Sequence, residues 1–263
     1  MTTTKSAALF EANQVGFQIA GRWLLQDVTL TVSPGRVLGL IGHNGSGKTT
    51  LMKLLARQLS PSKGMIRLVG ASLDSWKDRA FARKAAYFPQ SPPVAPGLLV
   101  RELVALGRYP WHGPLGRFSS NDHAKVDEAM TLAQVDAFGD REVGSLSGGE
   151  RQRAWLAMLL AHDAACLLLD EPTSALDVAH QFEVLRLVRQ LSHKRGLAIL
   201  LVLHDVNLAA RFCDELAALR RGRLLAHGAT RELMREDMLE AVYGLPMGIV
   251  PHPVSGQPMS YVP

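Results

Sequence analysis

Three short stretches carry residue types whose spacing can do chemistry. The first, Gly42-His43-Asn44-Gly45-Ser46-Gly47-Lys48-Thr49 with Thr50 behind it, fits Gly-x-x-x-x-Gly-Lys-[Ser/Thr]. Its glycines let the backbone turn so that successive N–H groups point inward and cradle phosphate oxygens, and a helix opening at Lys48 adds its positive end. Lys48 would reach the β- and γ-phosphates, and the Thr49 hydroxyl would ligate Mg²⁺. In the second, Cys166-Leu167-Leu168-Leu169 runs into Asp170 and Glu171. A buried strand ending in two acids places Asp170 to hold Mg²⁺ through water and Glu171 to orient and deprotonate an attacking water. Alone, such a pair is also the ordinary solvated end of a strand. The third, Leu146-Ser147-Gly148-Gly149-Glu150-Arg151-Gln152-Arg153, holds a Ser-x-x-Glu capping box at the start of a helix that continues through Trp155, Met158 and Leu159. Two glycines are poor material for a first helical turn. They make sense if their N–H groups must lie bare against an anion.

The elements that position these stretches follow from hydrophobic periodicity. Arg36-Val-Leu-Gly-Leu-Ile41 reads as a strand feeding the glycine turn, and Leu51, Leu54 and Leu55 give the following helix one apolar face. Cys166–Leu169 and Ala198–Leu203 read as buried strands that end abruptly in acidic or His residues, as parallel strands do where they meet a site. Between them Val178, Phe182, Leu185 and Leu191 fall at helical spacing, and Gly196 supplies a stop. Strands alternating with helices predict an α/β fold with a mainly parallel sheet. The opening Leu9–Val32 alternates (Val15, Phe17, Ile19, then Val28, Leu30, Val32) and predicts an antiparallel pair at the sheet edge. Residues 91–160 begin with a Pro/Gly-rich link and show helical patterns around Val100–Leu106 and Asp122–Ala137, which predicts an inserted helical subdomain. The tail, residues 244–263, carries Pro246, Pro251, Pro253 and Pro258 and reads as extended chain on the surface.

Composition bounds the possibilities. The 263 residues hold 47% hydrophobic and 20% charged side chains, too apolar for a disordered chain and too polar for an integral membrane protein. The longest apolar run, Leu197–Leu203, falls far short of the roughly 20 residues a bilayer span needs. Met1–Ser6 is polar and lacks the apolar stretch of a secretory signal. Two cysteines, Cys166 and Cys213, in apolar or helical stretches favour free thiols in a reducing compartment over a disulfide framework. A net charge of +5 is too diffuse to argue for nucleic acid, and a face near anionic lipid accounts for it equally well.

A phosphate loop does not by itself separate a kinase, a GTPase and a transport motor. Leu146–Arg153 does, because the run resembles the signature motif of the ATP-binding cassette (ABC) ATPases, and the rest of the chain falls into that family's order. The resemblance covers nearly all of residues 1–263, as one nucleotide-binding domain with a P-loop hydrolase core. It implies that Phe17 matches the aromatic that stacks on adenine, although a residue on a strand face serves a core as readily. It implies that Gln90, closing Tyr87-Phe88-Pro89-Gln90, is the lid glutamine that touches Mg²⁺ or the attacking water. Ser174-Ala175-Leu176-Asp177 matches the loop that faces a partner subunit, and His204 the switch histidine on the γ-phosphate. In this family the Ser147-Gly148-Gly149 turn of one subunit completes the ATP site of another. The resemblance therefore implies a head-to-tail homodimer closing around two ATP molecules, with ATP and Mg²⁺ as its ligands.

The same resemblance implies docking on separate permease subunits at the cytoplasmic face of a bacterial inner membrane, with the groove beside Gln90 receiving a permease helix. Within the family the chain is most similar to the ferric-hydroxamate siderophore importer ATPases, through residues 82–90, Val100–Gly113, Gly116-Arg117-Phe118 and Tyr243–Ile249. Gly107-Arg108-Tyr109-Pro110 is typical of metal-chelate importers in general, and haem, cobalamin and catecholate cargoes stay open. A periplasmic siderophore-binding protein would be an indirect partner. Tyr109, Trp111 and Phe118 are either a loop packed on the helical insert or a permease-facing surface. A soluble ABC ATPase acting on ribosomes or DNA fits less well: there is one cassette, no long heptad run and no dense basic block.

Overall fold

Short, fully apolar strands that alternate with amphipathic helices set the architecture. The computed structural model describes residues 8–93, 95–113, 116–174 and 176–263; Met1–Ser6 and Ala175 lie outside them. The chain forms two compact units, one running to Trp76 and resuming at Arg189, the other spanning Lys77–Val188.

The first unit opens with β1 (Phe10–Ile19) and β2 (Arg22–Val32), paired antiparallel as the alternation predicts. Ala20 and Gly21 both take positive φ, 47° and 79°, the mirror-image turn whose twist suits a two-residue hairpin. Next come β3 (Val37–Ile41), buried throughout, α1 (Lys48–Leu55), β4 (Lys63–Leu68) and the two-residue β5 (Ala71–Ser72). β4 pairs with the free side of β1, so β2, β1, β4 and β5 make an antiparallel sheet of their own. The pair is therefore not an edge of the parallel sheet. β4 buries only Ile66 and Leu68 and carries no apolar run that would announce it.

The second unit holds α2 (Asp78–Ala82), β6 (Ala85–Phe88), α3 (Val100–Leu106), α4 (Tyr109–His112), α5 (Ser120–Leu132), α6 (Gly148–Ala161), β7 (Cys166–Asp170) and most of α7 (Val178–Arg195). β6 and β7 run parallel, with Phe88 opposite Leu169. Helices α3, α5 and α6 pack on one another through Leu103, Val104, Val126, Met130, Ala154 and Trp155. Their junction contains a buried ion pair. Arg108, 2% exposed, donates through Nε to Asp122 at 2.8 Å and through Nη1 to the Ala161 carbonyl at 2.9 Å. The guanidinium also lies 5.0 Å over the Trp111 ring, whose Nε1 donates to the His162 carbonyl at 2.8 Å. Trp111 is thus packed into the helical insert, whereas Tyr109 remains about half exposed. Burial raises the Asp122 pKa, but bonds from the Ser119 hydroxyl and amide and from Arg108 outweigh it and hold the carboxyl at about 2.

The chain then returns to the first unit with β8 (Ala198–Val202), α8 (Val206–Phe212), β9 (Glu215–Arg220), β10 (Arg223–Ala229), α9 (Thr230–Leu233) and α10 (Glu236–Tyr243). β8 and β9 flank β3, both parallel to it, and β10 pairs antiparallel with β9. The fold is α/β, with parallel strands in each unit. Cys213 packs against β3 so closely that a Cβ on Gly39 would sit 2.7 Å from its Sγ. Within the tail, β11 (Gly248–Pro251) and β12 (Pro258–Tyr261) form an antiparallel hairpin rather than single extended chain.

Candidate functional site

The glycine loop leaves β3 at its carboxyl end and enters α1. A Cβ on Gly42 would lie 2.1 Å from the Leu219 carbonyl oxygen, and one on Gly47, at φ 106°, 2.6 Å from Leu25 Cδ2. A side chain at either position would collide with these neighbours, so the path of the loop requires glycine at both. Gly47 caps α1 with no side-chain hydrogen bond, so the amides of the first turn keep their donors for an anion. Lys48 is 5% exposed, and its Nζ donates to the Gly42 and His43 carbonyls at 2.7 and 2.9 Å. The ammonium is thus folded against the loop it serves. The Ser46 hydroxyl is buried without a hydrogen-bond partner among the described residues. A buried orphan hydroxyl in a bare, cationic loop is what a phosphate-bearing ligand would satisfy. Asn44 and Gly45 are exposed, and Thr49 and Thr50 half-buried.

His204 follows β8, whose Val202 is the register partner of Leu40. The two chains leave these adjacent parallel strands at the same end, Gly42 one residue past β3 and His204 two residues past β8. Topology alone thus brings the exposed His204 beside the loop. Phe17 is 8% exposed in the core of its unit, so the strand-face role is the one its burial supports.

The second unit assembles the acids by the same device. Phe88 pairs with Leu169, so two residues later Gln90 and Glu171 stand side by side, and Gln90 Nε2 donates to Glu171 Oε2 at 2.6 Å. Glu171 is 8% exposed and takes φ 53°, a left-handed backbone unusual for a residue with a side chain. Asp170 is fully buried, and Tyr87 Oη donates to its Oδ2 at 3.4 Å. Burial, then the Asp170 charge, push the Tyr87 pKa up, so the phenol stays a donor. Ser147 caps α6: Glu150 N–H donates to its Oγ at 3.3 Å and its own N–H to Glu150 Oε2 at 2.8 Å. These bonds hold the Glu150 carboxylate below its ordinary pKa. The box engages the Glu150 amide, leaving Gly148 exposed in the first turn. A cavity of about 400 Å³ joins Gln90 and Glu171 to Gly148, Arg151, Gln152 and Trp155.

Three further contacts involve the motif residues and their neighbours. Asp177 accepts from the His180 amide and ring Nδ1, at 2.9 and 2.8 Å, and the His180 ring covers Gly149, where a Cβ would meet it at 2.9 Å. His43 Nε2 donates to the Tyr243 carbonyl, 200 residues away, and the two rings meet edge-on at 5.5 Å. The Asp177–His180 bonds span three residues at the start of α7, a local capping spacing, whereas no spacing along the chain foretells the contacts of His180 with Gly149 or of His43 with Tyr243.

This is the fold of a P-loop nucleotide hydrolase. The sequence model of the ABC transporter family matches residues 25–174. The achromobactin transport ATP-binding protein of Dickeya dadantii (strain 3937) is 42% identical over 240 residues, 91% of this chain and 89% of that protein. The iron(3+)-hydroxamate import ATP-binding protein of Bacillus subtilis (strain 168) is 36% identical over 246 residues, 94% of this chain and 91% of that one. Among solved structures, a metal-chelate type ABC transporter in an inward-facing conformation superposes with a TM-score of 0.84 at 25% identity, covering 97% of this chain and 96% of that chain. The chain belongs to the ABC transporter family. Within it, the chain is an ATP-binding subunit, an ATPase coupled to transport.

Proposed function

We propose that the chain is the ATP-hydrolysing motor of a bacterial importer and energises uptake of iron(III)-hydroxamate siderophores through a separate inner-membrane permease. The observation that carries this reading is likeness along nearly the whole chain to ATP-binding proteins named for siderophore import. Among the described residues no helix is long and apolar enough to cross a membrane, which fits a peripheral subunit on the cytoplasmic face docked on a partner that does cross. The cavity beside Gln90 offers a permease helix a place that reports directly on Glu171.

In this mechanism the amides of residues 42–50 and the Lys48 ammonium hold the phosphates of ATP. Thr49, Asp170 and Gln90 would hold Mg²⁺, which when bound would neutralise charge developing on the phosphate oxygens. Gln90 orients the Glu171 carboxylate, and Glu171 takes a proton from the attacking water. His204 donates to the γ-phosphate. The Ser147 hydroxyl and the Gly148 and Gly149 amides reach the γ-phosphate held by a second copy, so two chains close head to tail around two ATP molecules. That contact exists only in the closed dimer and is lost when the γ-phosphate leaves, which supplies the differential interaction a conformational stroke requires. The cargo touches the binding protein and the permease, not this chain.

The 42% identity to the achromobactin protein favours a second reading, import of another metal chelate by the same machinery. Uptake of radioiron decides between them, in a strain lacking the chain and complemented with wild type or Glu171→Gln. Ferric hydroxamate uptake restored by wild type alone supports the proposal. Restoration only of another siderophore or of haem overturns the cargo, and restoration by Glu171→Gln overturns the motor.

A further inference from the structure

The C-terminal segment is bonded at two anchors, one to His43 and Arg220 beside the phosphate loop and the other to Asn207 of α8, close in the chain to His204. At one end, α10 closes with two carbonyls beyond the reach of its own ladder. The Tyr243 carbonyl accepts from His43 Nε2, and the Ala241 carbonyl from Arg220 Nη1 at 2.5 Å. A carbonyl can only accept, so His43 carries its proton on Nε2 in this contact. Arg220 follows Leu219, whose carbonyl lies against Gly42. Both donors therefore come from the immediate surroundings of the phosphate loop.

At the other end, the hairpin is clamped to α8. Asn207 Nδ2 donates to the Ser260 carbonyl at 3.0 Å, while Asn207 Oδ1 accepts from the Ser260 amide at 2.7 Å and its hydroxyl at 3.1 Å. Asn207 stands three residues after His204, and its own amide donates to Asp205 Oδ1 at 2.7 Å. The anchors are joined to each other. Glu236 at the start of α10 accepts from the Ile249 amide of β11 at 3.2 Å, and the Tyr261 ring of β12 lies over Gly248, where a Cβ would fall 2.3 Å from it. The buried Tyr243 hydroxyl also feels the Asp205 charge.

We propose that residues 236–263 are a strap that positions His43 of the phosphate loop and His204 at the end of β8 as one rigid pair, with His43 and Asn207 as positioning residues for hydrolysis. This rests on the ATPase reading given above. A strap predicts coupling between its two ends, whereas two unrelated local contacts would act independently.

The test is a double-mutant cycle on the purified full chain. His43→Leu and Asn207→Leu should each lower kcat about fivefold, with KM for ATP unchanged. Together they should again cost about fivefold rather than the roughly 25-fold of independent effects. His43→Gln, whose amide can still donate to the Tyr243 carbonyl, should recover most of the kcat lost in His43→Leu. Amide hydrogen exchange across residues 43–48, followed without nucleotide, should accelerate in Asn207→Leu. Multiplicative losses in kcat, or unchanged exchange in the loop when the hairpin is unclamped, would overturn the strap. A wild-type chain that hydrolyses no ATP, while its loop still loosens in Asn207→Leu, would overturn the proposed function and leave the strap standing.

Discussion

Asp122→Asn isolates the charge of a carboxylate that is almost fully enclosed by Arg108 and the α5 cap. The substitution keeps the side-chain volume and an acceptor for the Ser119 amide but removes the negative charge. Folding lowers this carboxyl from 3.8 to about 2, nearly two units at about 1.36 kcal/mol each, so its charge contributes roughly 2 kcal/mol near neutral pH. Because the folded value is the depressed one, that contribution is fully present above pH 3.8 and is lost as pH falls through 2. About half should be gone by pH 3. Against a total stability of about 5–15 kcal/mol, a 2 kcal/mol loss is readily measured. Urea unfolding of wild type and Asp122→Asn at pH 7, 5 and 3, at constant ionic strength, reads it as a gap between midpoints at equal slope. The gap should be full at pH 7 and 5 and halved at pH 3. Equal midpoints at pH 7, or a gap that does not shrink on acidification, would refute the assignment of this stability to the ionised pair.

Two further outcomes bear on the chemistry. Glu171→Gln keeps a partner for Gln90 and should bind ATP normally, yet hydrolyse it roughly 10²- to 10⁴-fold more slowly and accumulate as an ATP-bound dimer on a sizing column; a mutant that stays monomeric in saturating Mg-ATP contradicts the two-copy site. Phe17→Leu should leave ATP affinity within about twofold and cost about 1 kcal/mol of stability, as a core swap does; a tenfold weaker affinity in a chain that melts normally would return the ring to the nucleotide.

What the sequence revealed and what it hid divide along a physical line. β3, β7 and β8 are continuous apolar runs because parallel strands are covered on both faces, and such runs show plainly in one dimension. The phosphate loop, the α6 capping box and the acid pair are also contiguous, so local spacing was enough to find them. β9 was hidden because its Leu-Ala-Ala-Leu core suits a helix as well as a strand; pairing with β3 decides it. The alternation through Val15, Phe17 and Ile19 promised a single inward face, but register shifts on both sides of Phe17 break the pattern, and Ile19 ends 56% exposed. Val178 opens α7 in the helical pattern yet stands 71% exposed. Arg108 is the sharpest case. Its motif carried only a resemblance to metal-chelate importers, while the side chain is spent inside the helical insert on Asp122 and Ala161. No local pattern can show that an arginine is buried, because its counter-charge lies on another helix.

Both thiols in the chain, Cys166 and Cys213, are buried, and their surroundings push them well above the range in which thiolate forms. A maleimide meets almost no thiolate on the native protein. Reporter dyes or spin labels can therefore be placed at new surface cysteines, on the exposed tip of β1 or the tail hairpin for instance, against a silent background and without first stripping out the natural sulfurs. Replacing Cys213 would in any case open a void against β3.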